Sequence, residues 1–142
     1  MDLSLTDDQR AILDALDVLV RPWERAPIHD APLFASDDAL DAALAEAGFL
    51  DVAADPELGT VTAALVIERL ARLPVCTEAA ASGLIGPLLG DATGGPICLV
   101  DARHWRRPVR YLREGARVLV LESNGVSAFD ASAAQFRAVH AK

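Results

Sequence analysis

No stretch of eighteen apolar residues runs without a charge or a helix breaker, and the first residues carry Asp2, Asp7 and Asp8 where a secretory leader would carry positive charge. The first absence excludes a membrane-spanning helix. The second argues against a signal peptide, so a cytoplasmic protein without a membrane partner is expected. Cysteine is scarce: Cys76 and Cys98 lie far apart, with no C-x-x-C spacing and no histidine at ligand distance. That leaves one disulfide or two reduced, half-buried thiols, and a cytoplasmic setting favours the thiols. The three histidines form no metal-ligand cluster, so no metal is expected. Also missing are G-x-G-x-x-G, G-x-x-x-x-G-K-[ST] and G-x-S-x-G. The glycine-rich run Gly90 to Gly95 is read as a linker, because a strand pattern follows it where a phosphate loop needs a helix. Basic charge is in deficit, 13 Lys and Arg against 21 Asp and Glu for a net charge of −8, and such a body repels nucleic acid.

What remains is 142 residues, 52% hydrophobic, with a mean hydropathy of +0.26 to which alanine contributes much. The length suits one ordinary domain or two small ones. Charge is divided unevenly: residues 1–100 carry 17 acidic and 5 basic side chains, net −12, and residues 101–142 carry 4 and 8, net +4. A basic segment of this kind meets either an external anion or the acidic body itself.

Along the chain, Thr6-Asp7-Asp8-Gln9 reads as a capping box opening a first helix whose stripe is Ile12, Leu13, Leu16, Leu19 and Val20. Arg21-Pro22 ends it, and Trp23 is expected to pack back on the stripe. Residues Glu24 to Ala35 have no clear period and hold His29-Asp30. Neighbours on a loop rarely face each other and no nucleophile stands beside them, so that pair is not read as catalytic.

Ser36-Asp37-Asp38 caps a second helix that closes at Gly48, with Phe49 and Leu50 as anchors. Thr60 is expected to cap a third helix, ended by Pro74 and too apolar, from Val61 to Leu73, for a lone surface helix, so a second chain or a dimer mate is expected to cover it. Thr77 is expected to cap a fourth, interrupted near Pro87 and finished at Gly90. Composition then changes at Asp91 to Pro96, the best domain boundary in the chain. Strand patterns follow at Ile97–Val100, Val109–Leu112 and Arg117–Leu121. A hairpin signal at Ser123-Asn124-Gly125 leads to a partner strand at Val126–Phe129, and a last strand is expected at Phe136–His140. The fold class expected is α+β: a bundle of about four helices over residues 1–90, then a small antiparallel β domain over 91–142.

The stretch Leu40 to Val75, a short helix ending in Ala47-Gly48-Phe49-Leu50, a loop, then Ala64-Leu65-Val66-Ile67-Glu68-Arg69-Leu70, resembles the N-terminal helical domain of acyl-CoA dehydrogenases. The opening Leu3 to Leu16 is similar to that family's first helix, and Val109 to Ala133 to its middle β domain. The resemblance implies FAD as cofactor, acyl-CoA thioesters as substrate, and an oxidoreductase acting on their CH–CH bond. It implies a shortened chain, because the C-terminal helical domain that brings the catalytic base in the family has no counterpart here. The family's T-E-x-x-x-G-S-D loop is not matched either: Thr77-Glu78 to Ser82-Gly83 has the wrong order and lacks the aspartate.

No catalytic residue is therefore assigned, and Glu46, Glu68 and Glu78 are read as solvated helix edges. The sharpest polar feature is Arg103 to Arg110, where Trp105, Arg106, Arg107 and Arg110 are candidates to hold the phosphates of coenzyme A or FAD, or else a solvated face paired with the acidic helices. Two functions are expected from this: a partner subunit of an FAD-dependent acyl-CoA dehydrogenase, assembled with copies of itself or with a longer subunit, or a non-catalytic interaction module derived from that family.

Overall fold

A computed structural model describes residues 4–25, 37–90, 96–104 and 106–132. His29-Asp30, Trp105 and the expected strand Phe136–His140 lie outside the described residues. The chain divides into two compact units, residues 1–90 and 91–142, and the change in composition at Asp91–Pro96 falls at their border. Helices precede strands, so the α+β class holds.

Among its described residues the first unit contains four α-helices: α1 (Asp7–Val20), α2 (Asp38–Glu46), α3 (Gly59–Leu70) and α4 (Ala79–Leu84), with short 3₁₀ turns between them. The capping box on α1 forms as expected. Thr6 Oγ1 accepts from the Gln9 amide at 3.2 Å, and Gln9 Oε1 accepts from the Thr6 amide at 3.1 Å. Gln9 also donates through Nε2 to Thr62 at the start of α3 (3.4 Å), while Asp17 near the end of α1 meets Arg69 near the end of α3 at 3.5 Å. The two helices therefore run in the same direction.

Asp37 serves two elements. Its Oδ1 accepts from the Ala39 and Leu40 amides to cap α2, and its Oδ2 accepts from the Trp23 indole at 2.9 Å. The C-terminus of α2 closes as a Schellman motif. Gly48 takes φ 77°, its amide bonds Ala45 O, and the Phe49 amide bonds Leu44 O at 3.0 Å. That turn buries Phe49 against Leu13, Leu16, Val20, Leu40, Leu44, Val66 and Leu70, with Trp23 at the rim. Leu16, Leu40 and Leu44 are wholly buried, each worth about 1.5–3 kcal/mol relative to exposure.

Two caps differ from expectation. Thr60 does not open α3. Asp55 accepts from the Glu57 and Leu58 amides, and Gly59 enters the helix at φ 66°, so the turn before the helix does the work of a cap. Thr77 does not open α4; Glu78 does, and it is buried where a solvated edge was expected. Nor is α3 left bare. Leu65, Ile67 and Leu73 pack against the unit's own core, and Val61 is the large apolar side chain of that helix that stands out in solvent.

Among its described residues the second unit holds a three-stranded sheet in the order β1-β2-β3, with β1 (Ile97–Asp101), β2 (Arg117–Glu122) and β3 (Gly125–Asp130). The hairpin β2–β3 is antiparallel, as the turn signal predicts, and pairs Glu122 with Gly125. The sheet as a whole is mixed, correcting the wholly antiparallel expectation, because β1 runs parallel to β2 with Ile97 opposite Arg117.

A parallel neighbour requires a crossover long enough to bring the chain back to the same end of the sheet, and residues 102–116 supply it. The expected strand Val109–Leu112 lies in that crossover as turns, with Tyr111 at φ 60° directly after Arg110. Pro108 cannot donate to a ladder and a left-handed residue breaks one. Val109, Tyr111 and Leu112 instead cover Cys98, Val100 and Val118, as a helix would in a βαβ unit.

Candidate functional site

The arginine-bearing crossover begins where β1 ends. Asp101 accepts from the amide of Arg103 at 2.9 Å and from its guanidinium, Nη2 at 2.6 Å and Nε at 3.0 Å. The Arg103 guanidinium, then its amide, hold the Asp101 carboxyl well below the usual carboxylate range, and the same contact raises the Arg103 guanidinium above its ordinary value. His104 Nδ1 lies 3.7 Å from the same carboxylate. A fork clamped in this way is spent on its neighbour. Arg103 therefore leaves the set of four arginines that the sequence places around Trp105.

Arg106, Arg107 and Arg110 are exposed, on the turns that follow. The Arg107 amide bonds His104 O at 2.8 Å, which ties the turn to the short 3₁₀ segment Ala102–His104. The structure thus gathers the three arginine candidates on one crossover. Exposed guanidinium groups on a loop can meet a phosphate at the surface by charge and bidentate bonding. Among the described residues of this segment they do not build the enclosed apolar slot that an isoalloxazine ring requires. Asp101, which sets the electrostatics at the start of this segment, went unnoticed in the sequence; an Asp two residues before an Arg at a strand end is the signal that finds it.

The first unit carries a separate open groove of about 370 Å³ along the C-terminal ends of α1 and α3. Asp17, Arg21, Glu24, Arg69 and Arg72 supply its charged lining. Arg69 is engaged by Asp17, and Arg72 by Glu68 at 2.6 Å, so two of the groove's three arginines are committed to carboxylates. The Glu68–Arg72 pair is an i,i+4 contact legible in sequence. Asp17–Arg69 spans two helices and is not.

The carboxylates considered as bases are accounted for. Glu46 is exposed and Glu68 is paired. Glu78 accepts from the Ala81 amide at 2.9 Å and from the Ser82 hydroxyl, a structural cap. Both cysteines are free thiols, Cys76 half-buried and Cys98 buried. Among the described residues no group of three or more His, Cys, Asp or Glu is placed to hold a metal ion, and no helix is long and apolar enough to cross a membrane. Compared with family models, with curated proteins and with solved structures, the chain matches none.

Proposed function

We propose that this chain is an acyl-CoA dehydrogenase-like protein of the cytoplasm that acts as a short partner subunit. In this reading a longer subunit of that kind carries FAD and the catalytic base, and oxidises the CH–CH bond of an acyl-CoA thioester. What supports the reading is the succession of a closed helical unit and a small sheet unit, together with the residues of Leu40 to Val75 that carry the likeness. The single observation behind the partner role is that none of the three carboxylates is both buried and uncommitted: Glu68 pairs with Arg72, Glu78 caps α4, and Glu46 stands in solvent. A base that removes an α proton needs a carboxylate held at the substrate, with its pKa tuned by burial.

The role left to this chain is positional. Arg106, Arg107 and Arg110 are suited to the phosphates of coenzyme A at the edge of a cleft completed by the longer subunit. The test is acyl-CoA oxidation, assayed with an artificial electron acceptor, by the chain alone, by a longer dehydrogenase-like subunit alone and by the two together. The expected result is turnover by the pair and none by the chain alone. Turnover by the chain alone overturns the partner role.

A second reading is a non-catalytic interaction module that has left flavin chemistry altogether. It is favoured by the mutual pairing of charges in the groove of the first unit, where Arg69 and Arg72 are both committed. No effect of the chain on any longer subunit is the result it expects.

A further inference from the structure

Among the described residues, the outer side of β3 is an unguarded sheet edge. Among the described residues β3 pairs on one side only, with β2, and all of its residues from Gly125 to Asp130 are exposed. Natural edges are blunted by charge, proline or a bulge. Between Gly125 and Phe129 there is no charge and no proline, and the register with β2 is unbroken.

The hydrogen-bonding phase of this edge follows from one contact. The Ala131 amide donates to Ala116 O at 2.8 Å, so odd-numbered residues turn their peptide groups toward β2. By alternation, Val126, Ala128 and Asp130 turn their N–H and C=O groups outward. The side chains of those same residues share a sheet face with Leu99 and Leu121, and Leu99, Leu121 and Val126 are about half exposed or more.

We infer that this edge pairs with β3 of a second copy of the chain, antiparallel about a two-fold axis at Ala128, to make a continuous six-stranded sheet. All three outward-facing residues are then used: Ala128 pairs with its own mate, and Val126 with the mate's Asp130, in both directions. No like charges fall opposite each other, because the acidic end of each strand meets a valine. The Asp130 charge is already engaged by Arg117 of its own sheet at 2.6 Å. The small side chain at Ala128 lets the two strands close on the axis. The apolar strip of Leu99, Leu121 and Val126 then continues from one copy onto the other, which an isologous interface requires. This inference does not depend on the flavin reading.

The test uses the full chain. Sedimentation equilibrium is expected to give twice the 15.0 kDa mass of one chain. Ala128→Pro removes an outward N–H and no ladder bond to β2, so the mass is expected to halve with the circular dichroism unchanged. Should that variant unfold, Val126→Asp sets a like charge opposite Asp130 of the mate, with the same expected result. In a Cys76→Ser background, Ala128→Cys is expected to cross-link on oxidation, since paired α carbons about 5.5 Å apart lie within disulfide range. Ser127→Cys, which this register sets opposite Phe129 of the mate, is expected to cross-link far less.

Two copies each carrying −8 repel through solvent, so salt is expected to strengthen the dimer. A monomeric wild type, a dimer untouched by either edge variant, or a dimer that salt dissolves would each overturn the inference. The last would mark basic residues of one copy seated on the acidic helices of another.

Discussion

The helical unit and the sheet unit are stabilised in different ways. In the first, most of the decisive contacts lie within a few residues of each other: Thr6 with Gln9, Asp37 with Ala39 and Leu40, Gly48 and Phe49 with the last turn of α2. Apolar stripes then close one core around Leu16, Leu40 and Leu44. In the second, the central pairing joins Ile97 to Arg117 across a crossover of turns, and β3 is exposed throughout. Local contacts make a unit complete in itself, whereas a sheet built by distant pairing leaves an edge that another strand can use.

The largest way to break this contrast is to empty the helical core. Leu16→Ala removes a fully buried side chain shared by α1 and its neighbours and is expected to cost about 2–5 kcal/mol. Hydrogen exchange should show the loss in amides of α1 and α3, with those of Val118 and Val120 in β2 keeping their protection. Equal loss in both units would mean that the two are stabilised as one.

Asp37→Ala comes next, at about 1–2 kcal/mol by urea denaturation, because it removes the α2 cap and also the indole's acceptor. Trp23 fluorescence should change in the folded state as well as in the transition. A shift in stability with an unchanged Trp23 spectrum would separate the two roles. Gly48→Ala is expected to cost about 1–2 kcal/mol, since alanine is strained at φ 77° while no neighbouring atom obstructs its methyl group.

The smallest effect belongs to the sheet unit. The Asp101 carboxyl is more acidic folded than unfolded, so its contribution is present above the unfolded value of about 3.9 and is lost as pH falls below that value. The difference between Asp101→Asn and wild type should therefore be seen at neutral pH and vanish toward strong acid. A difference that grows on acidification would contradict the Arg103 contact as its source.

The same contrast explains what was legible in sequence. The Thr6 box, the Gly48 closure and the hairpin at Asn124-Gly125 are short-range devices, and each stands where its residues place it. Glu78 was missed as a helix opener because Thr77 is the stronger intrinsic cap, and Asp55 because it stands four residues before the helix it leads into. Local propensity yielded to the burial of Glu78 and to the Asp55 turn. Val109–Leu112 carries a strand pattern, yet its apolar residues are needed as a cover over Cys98 and Val118. Alternation cannot tell a strand from a lid, and it cannot reveal that β1 and β2 are parallel. Of the candidate site, the three exposed arginines were readable as a group, but the capture of Arg103 by Asp101 depends on side-chain geometry.

The visible absorption spectrum of the purified chain tests the central claim most directly, namely that this chain supports flavin chemistry without carrying it. The account predicts a colourless protein whose spectrum does not change when an acyl-CoA thioester is added. A flavin spectrum that bleaches on adding the thioester would contradict it.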